Sequence, residues 1–148
     1  MTVRETLSQC YITAELSESV LAELSAIAQV TDHETEAELI KVGDRTQDLV
    51  ILAKGAMEIR DMSGQMSKHL LPVTVLGEVA FLDAQPRTAS VFVMPNSRVV
   101  RLPAKELQSY LREKPEVAAE VYRRLGITVC RRLRRTNEQV ESLSARDE

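Results

Sequence analysis

The apolar positions change period twice along the chain, and the changes divide it into three zones. In the first, Leu16, Val20, Leu24, Ile27 and Ala28 recur at steps of three and four, the spacing of one helix face. This predicts an N-terminal helix over residues 14–30, opened by Ser17 or Ser19, whose hydroxyl oxygen accepts from an unpaired N–H of the first turn. In the second zone, residues 34–102, the apolar runs shorten to strand length. Residues 38–42 stop at the turn pair Gly43-Asp44, residues 49–53 stop at Lys54-Gly55, and residues 56–60 alternate before Ser63-Gly64-Gln65, a hairpin signal. Two further runs, 89–93 and 97–102, close the zone. Many short strands between turn signals predict an antiparallel β-roll. The third zone, residues 104–143, returns to helical spacing. A short helix over 104–113 is stopped at Pro115, which suits the first turn of a long helix reaching about Leu143. Glu116 and Glu120 lie near its positive end, Gly126 interrupts its interior, and the tail beyond Ser144 is expected to fray. The fold class is therefore α+β: one domain over residues 1–148, a jelly-roll-like β-roll between an N-terminal helix and a long C-terminal helix.

Composition narrows the functional classes. The 148 residues are 44% hydrophobic and 28% charged, as in ordinary globular domains. Aromatic residues make up 3%, with no tryptophan, which leaves few platforms for stacking single-stranded nucleic acid. A net charge of −3 argues against a general polyanion binder. Cys10 and Cys130 are far apart and read as free thiols of a reducing compartment. No stretch approaches the ~20 apolar residues of a membrane span, residues 1–9 lack a signal-peptide core, and a cytoplasmic location is expected. His33 and His69 have no metal-ligand spacing. Ser90 and Ser97 have no histidine-acid partner pattern, and no glycine-rich loop for a nucleoside triphosphate is present. Glu34, Glu36 and Glu38 alternate toward solvent. These readings predict a binding protein, not an enzyme, with neither cofactor nor metal.

The chemistry gathers in residues 77–91, which read Gly-Glu-Val-Ala-Phe-Leu-Asp-Ala-Gln-Pro-Arg-Thr-Ala-Ser-Val. Glu78 and Arg87 stand at opposite ends of a segment that a short helix folds into a cup, and Gly77 opens it where backbone must approach something closely. A helix start offers unpaired N–H groups to an anion. The planar guanidinium fork matches a phosphate, and a carboxylate is a strong acceptor for a hydroxyl. The pair suits a phosphorylated ribose.

With this cassette, the turns at Gly43-Asp44 and Gly55 and the flanking helices, the chain resembles the cyclic nucleotide-binding domain family from about Leu16 to Leu143. The resemblance implies that backbone N–H groups of Gly77, Glu78, Val79 and Ala80 face a cyclic phosphate and that Glu78 accepts from the ribose 2′-hydroxyl. It further implies that Arg87 pairs with the phosphate and that backbone of Thr88 and Ala89 adds donors. The chain departs from the family pattern where Val73 follows Pro72 in place of glycine, and where Leu76 replaces the common aromatic. Thr88 points toward cyclic GMP, through a hydroxyl that meets the guanine amino group. Thr136 and Asn137, which the resemblance places at the purine edge, point toward cyclic AMP. The ligand is thus cyclic AMP or cyclic GMP, and the chain a regulatory sensor. The alternative is a non-binding dimerisation or docking module with a vestigial pocket.

Tyr122, Gly126, Val129, Leu133, Thr136, Val140 and Leu143 recur at alternating steps of four and three, a heptad seam that predicts a homodimer along the C-terminal helix. The signal is expected to pass to the dimer mate or a protein effector. The arginines of residues 131–135 read as a solvated face paired with Glu138 and Glu141, in preference to a nucleic-acid stripe or a partner-docking face. No helix-turn-helix follows Leu143, so direct DNA binding is not expected.

Overall fold

Strand β3, Leu49–Lys54, explains the layering. Its first five residues are all buried, because Leu49, Ile51 and Ala53 face one apolar cluster while Val50 and Leu52 face another. A strand covered on both faces reads as a continuous apolar run, without the alternation of a half-solvated strand. The computed structural model describes residues 1–61 and 66–146. In chain order the remaining elements are α1 Val3–Gln9, α2 Glu18–Ile27, β1 Gln29–His33, β2 Ala37–Ile40, β4 Met57–Arg60, β5 Met66–Leu70, β6 Thr74–Leu76, α3 Glu78–Asp83, β7 Ser90–Val93, β8 Ser97–Leu102, α4 Ala104–Glu113 and α5 Pro115–Arg146.

Two four-stranded antiparallel sheets form the roll, with orders β1-β8-β3-β6 and β2-β7-β4-β5. Val50, Leu52, Met57, Leu76, Val93 and Val99 fill the space between them. The outer face of the first sheet carries the helices: Leu7 of α1, Leu24 of α2, Leu107 and Leu111 of α4, and Val121 and Leu125 of α5 meet Leu49, Ile51 and Leu102 there. Gly55, at φ +92°, permits the turn from β3 into β4, and any side chain there would run into Ser97. Ser97 Oγ accepts from the Ala56 N–H at 3.0 Å and Ser90 Oγ from the Val42 N–H at 3.1 Å, so both serines tie strand ends together.

The α+β roll matches the sequence expectation, as do the short helix of the cassette and both C-terminal helices. Five features differ. The helix expected over 14–30 is α2 alone, opened by Ser17, whose hydroxyl accepts from the Val20 N–H. Residues 29–33 are strand β1, so the roll begins before residue 34. Four of β1's five residues are exposed, and such an edge strand, held by its backbone register to β8, leaves no apolar alternation to read. Residues 3–9, read as merely polar, form α1. Thr2 and Glu5 close a capping box there, a signature already present in the sequence. Strands β5 and β6 were absent from the expected runs, since β5 lies at a sheet edge with its middle exposed. Helix α5 continues through residues 144–146, past the expected end at Leu143 and into the tail expected to fray. The Ser63-Gly64-Gln65 hairpin turn and the last two residues of that tail lie outside the described residues. Both cysteines are free thiols, Cys10 buried and Cys130 exposed. Among the described residues no helix is long and apolar enough to cross a membrane, and no histidine, cysteine and carboxylate cluster suited to a metal exists.

Candidate functional site

The cassette is fastened to the roll before it forms a site. The Arg87 N–H donates to the Asp44 carbonyl at 2.7 Å, and the Gly43 N–H donates to the Arg87 carbonyl at 2.8 Å. This two-way clasp pins the end of the cassette against the turn after β2, where Gly43 adopts φ +88°. At the other end, Gly77 caps α3 at φ +92°. A Cβ there would come within 2.7 Å of both the Arg87 guanidinium and the Asp48 carbonyl oxygen. The glycine therefore answers two demands, a left-handed backbone and room for the arginine head.

Arg87 is 6% exposed. Its Nε donates to Thr46 Oγ1 at 3.3 Å, and its two terminal nitrogens donate to the carbonyls of Gly77 at 3.1 Å and Asp48 at 2.9 Å. These take three of the five N–H donors of a guanidinium and leave the rest open. Among the described residues no carboxylate forms an ion pair with it. Burial, the largest influence, pulls Arg87 below the usual arginine range, while the Asp48 carboxylate works in the opposite sense. A buried cation that forms no direct ion pair among the described residues, with the Asp48, Glu78 and Asp44 carboxylates acting on it only through space, keeps donors open for an anion.

Glu78, in the first turn of α3, is 0% exposed. Arg132 of α5 ion-pairs with its Oε1 and donates a second hydrogen bond to the Val75 carbonyl at 3.1 Å. Glu78 Oε2 is buried with no hydrogen-bond partner among the described residues. An unmet buried acceptor costs about 1–3 kcal/mol, more when charged, so a hydroxyl donor at Oε2 would lower the energy of the site. Glu78, Arg87 and Arg132 line one cavity of about 100 Å³. Its apolar wall includes Ile40, Ile59, Leu76 and Val91, drawn from both sheets.

The structure brings together Gly77, Glu78, Val79, Ala80, Arg87, Thr88 and Ala89, all of which border this cavity. Thr136 and Asn137 are exposed on α5 and do not border it. The Thr136 hydroxyl donates to the Arg132 carbonyl at 3.0 Å, one turn back. The expected solvated arginine face requires correction: Arg132 turns inward to Glu78, and among the described residues Glu138 and Glu141 form no ion pair with the run. A buried carboxylate outcompetes an exposed one for a guanidinium, because less water screens the pair. Sequence reasoning missed Arg132, Thr46 and Asp48 as parts of the site. Asp48 links cassette and helices, since its carboxylate also accepts from the Ala104 N–H at the start of α4 at 2.7 Å. Nothing in the local sequence marks these three, since each meets its partner across tens of residues.

Comparison with known proteins agrees with this geometry. The family model for the cyclic nucleotide-binding domain matches residues 31–114. A CRP-like cAMP-activated global transcriptional regulator of Mycobacterium tuberculosis is 27% identical over 143 residues, covering 94% of this chain and 62% of the regulator. Glutaminase 1 of Bradyrhizobium diazoefficiens is 28% identical over 130 residues, covering 88% of this chain but 21% of that protein. The chain thus spans between about a fifth and three fifths of these relatives' lengths. A solved cyclic nucleotide-binding domain from Methylobacillus flagellatus superposes with a TM-score of 0.79 at 20% identity, covering 94% of this chain and 80% of the other, a likeness of fold.

Proposed function

Since this chain belongs to the cyclic nucleotide-binding domain family, we propose that its cassette cavity binds a cyclic purine nucleotide, cyclic AMP or cyclic GMP, as a regulatory sensor that does not turn it over. The observation supporting this reading is the pairing, within one cavity, of a buried cation at Arg87, which forms no direct ion pair, with a buried acceptor at Glu78 Oε2, which has no hydrogen-bond partner, both among the described residues. A cyclic phosphate supplies the anion and a ribose 2′-hydroxyl supplies the donor. Neither group alone answers both needs.

Arg132 gives the proposed sensor its output. It ties α5 to Glu78. A ribose at Glu78 competes for the same carboxylate and alters the hold on α5, and the helix then settles over the base with Thr136 and Asn137 at the purine edge. The ligand drives this shift only as far as it prefers the rearranged state; a ~100-fold preference corresponds to ~2.7 kcal/mol. The exposed stripe of Tyr122, Leu133, Val140 and Leu143 on α5 is the proposed homodimer seam, through which the change reaches the second copy or a protein effector. In this reading the protein acts in the cytoplasm and needs neither DNA nor a membrane.

One observation favours the alternative docking module with a vestigial pocket: Arg132 lines the cavity and already occupies one oxygen of Glu78. Calorimetric titration with cyclic AMP and cyclic GMP separates the two. Saturable heat that disappears in Arg87→Ala supports the sensor. No heat and no competition at millimolar nucleotide would reject it in favour of the docking module.

A further inference from the structure

Beside the cassette, between β5, β6 and the middle of α5, lies a second cavity of about 380 Å³. Arg132 borders both cavities, so the two are neighbours across one side chain. The second is lined by Lys68 of β5 and by Arg131 and Arg135 of α5, over a floor that includes Leu70 and Val75. Among the described residues no carboxylate forms an ion pair with Lys68, Arg131 or Arg135. The Arg131 guanidinium is held at the wall, 4.7 Å from the centre of the Tyr11 ring. Burial, then repulsion from Arg132 and Arg135, pull the Lys68 ammonium below the usual lysine range.

A cyclic mononucleotide leaves this groove unexplained. It carries one negative charge, and Arg87 in the cassette is placed to take it. Its base is neutral and accepts at most a few hydrogen bonds. Three further cations facing one concavity call for formal negative charge, not for a base edge. Resting on the proposed cassette function, we propose that the groove formed by Lys68, Arg131 and Arg135 is a second phosphate subsite, and that the preferred ligand is a nucleotide with a second phosphodiester, of the cyclic dinucleotide class. The first ribose-phosphate lies at Glu78 and Arg87, and the second phosphate lies across Arg132 among the three cations. The apolar floor then covers part of the second nucleoside.

The test is a titration of the full chain with cyclic AMP, cyclic GMP, cyclic di-AMP and cyclic di-GMP, on the wild type and on Lys68→Gln/Arg135→Gln. Both side chains are exposed, so the fold tolerates the change, and an unshifted melting temperature checks that. At least one cyclic dinucleotide should bind the wild type roughly tenfold or more tighter than either mononucleotide, with the stronger salt dependence of an extra ionic contact. The double variant should lose about ten- to a hundredfold for that dinucleotide, the span of a charge-assisted hydrogen bond, with mononucleotide affinity unchanged. Equal or tighter mononucleotide binding by the wild type overturns the second subsite and leaves the cassette reading standing. So does an equal loss for both ligand classes in the double variant, which would mean that the groove reads a base edge or acts only as a general field. Competition by a short duplex DNA that depends on Lys68 and Arg135 would make the groove a nucleic-acid surface and likewise overturn it. No binding of any of the four nucleotides removes both readings together.

Discussion

The two halves of α5 are one helix in different surroundings. In the first half, Val121 and Leu125 are buried against the helical side of the roll, and Arg124 reaches the Tyr11 carbonyl at 3.3 Å while pairing with Glu120 at 2.9 Å. In the second half, Leu133, Val140 and Leu143 are each more than half exposed. Gly126, where the halves meet, has no atom near the place a Cβ would occupy. Past that point Arg132 ties the helix to the cassette cavity, through its ion pair with Glu78 and its hydrogen bond to the Val75 carbonyl. The difference separates an apolar anchor from a polar tether. Apolar burial holds the first half, whereas the second reaches the cavity through a polar contact, the one for which the proposed ligand would compete.

This contrast breaks most sharply at the cavity. Arg87→Ala removes the buried cation and should weaken cyclic nucleotide binding by ~2–5 kcal/mol, roughly 30- to several-thousand-fold, as read by calorimetry. An affinity unchanged by the substitution would show that the ligand sits elsewhere. Next in size is the anchor. Leu125→Ala should cost about 2–5 kcal/mol of unfolding free energy in a denaturant titration, the cost of a cavity in a packed core.

The cysteines report the same division by chemistry. Burial pushes the Cys10 thiol up to about 11, from an ordinary 9.0. Its neutral form persists through mildly alkaline solution, and thiolate gathers only as pH rises toward that value. At pH 8 a thiol reagent should modify Cys130 quickly and Cys10 at least ~100-fold more slowly. Equal rates would mean that the helical layer opens freely.

Smallest is the effect of Leu133→Ala/Val140→Ala on monomer unfolding, within about 0.5 kcal/mol per site because little is buried there. The same variant should weaken self-association in sedimentation experiments. An unchanged oligomeric state would remove α5 as the dimer seam, and a loss of monomer stability comparable to Leu125→Ala would erase the distinction between the halves.

Much of this architecture was legible from local pattern. The turns at Gly43 and Gly55, the cassette with its short helix and the break at Pro115 between two helices all depend on neighbours in the chain, where residue type constrains backbone directly. Edge strands β1 and β5 escaped notice because backbone pairing builds them while solvent reaches their side chains. Helix α1, by contrast, is marked locally, by the capping box of Thr2 and Glu5.

The chain alone therefore determined the fold class and placed an acid and an arginine at the two ends of one cassette. Tertiary structure decided what those two residues face. It buried Glu78 and met one of its oxygens with Arg132, brought from fifty-four positions away. It gave Arg87 carbonyl partners from Asp48 and Gly77 and, among the described residues, no ion pair with a carboxylate. It also set three arginines of one run in different surroundings, with Arg131 over Tyr11, Arg132 in the cassette and Arg135 at the neighbouring groove. The reason is physical: local sequence sets backbone preference over a few residues, but burial and charge pairing arise only when distant segments meet.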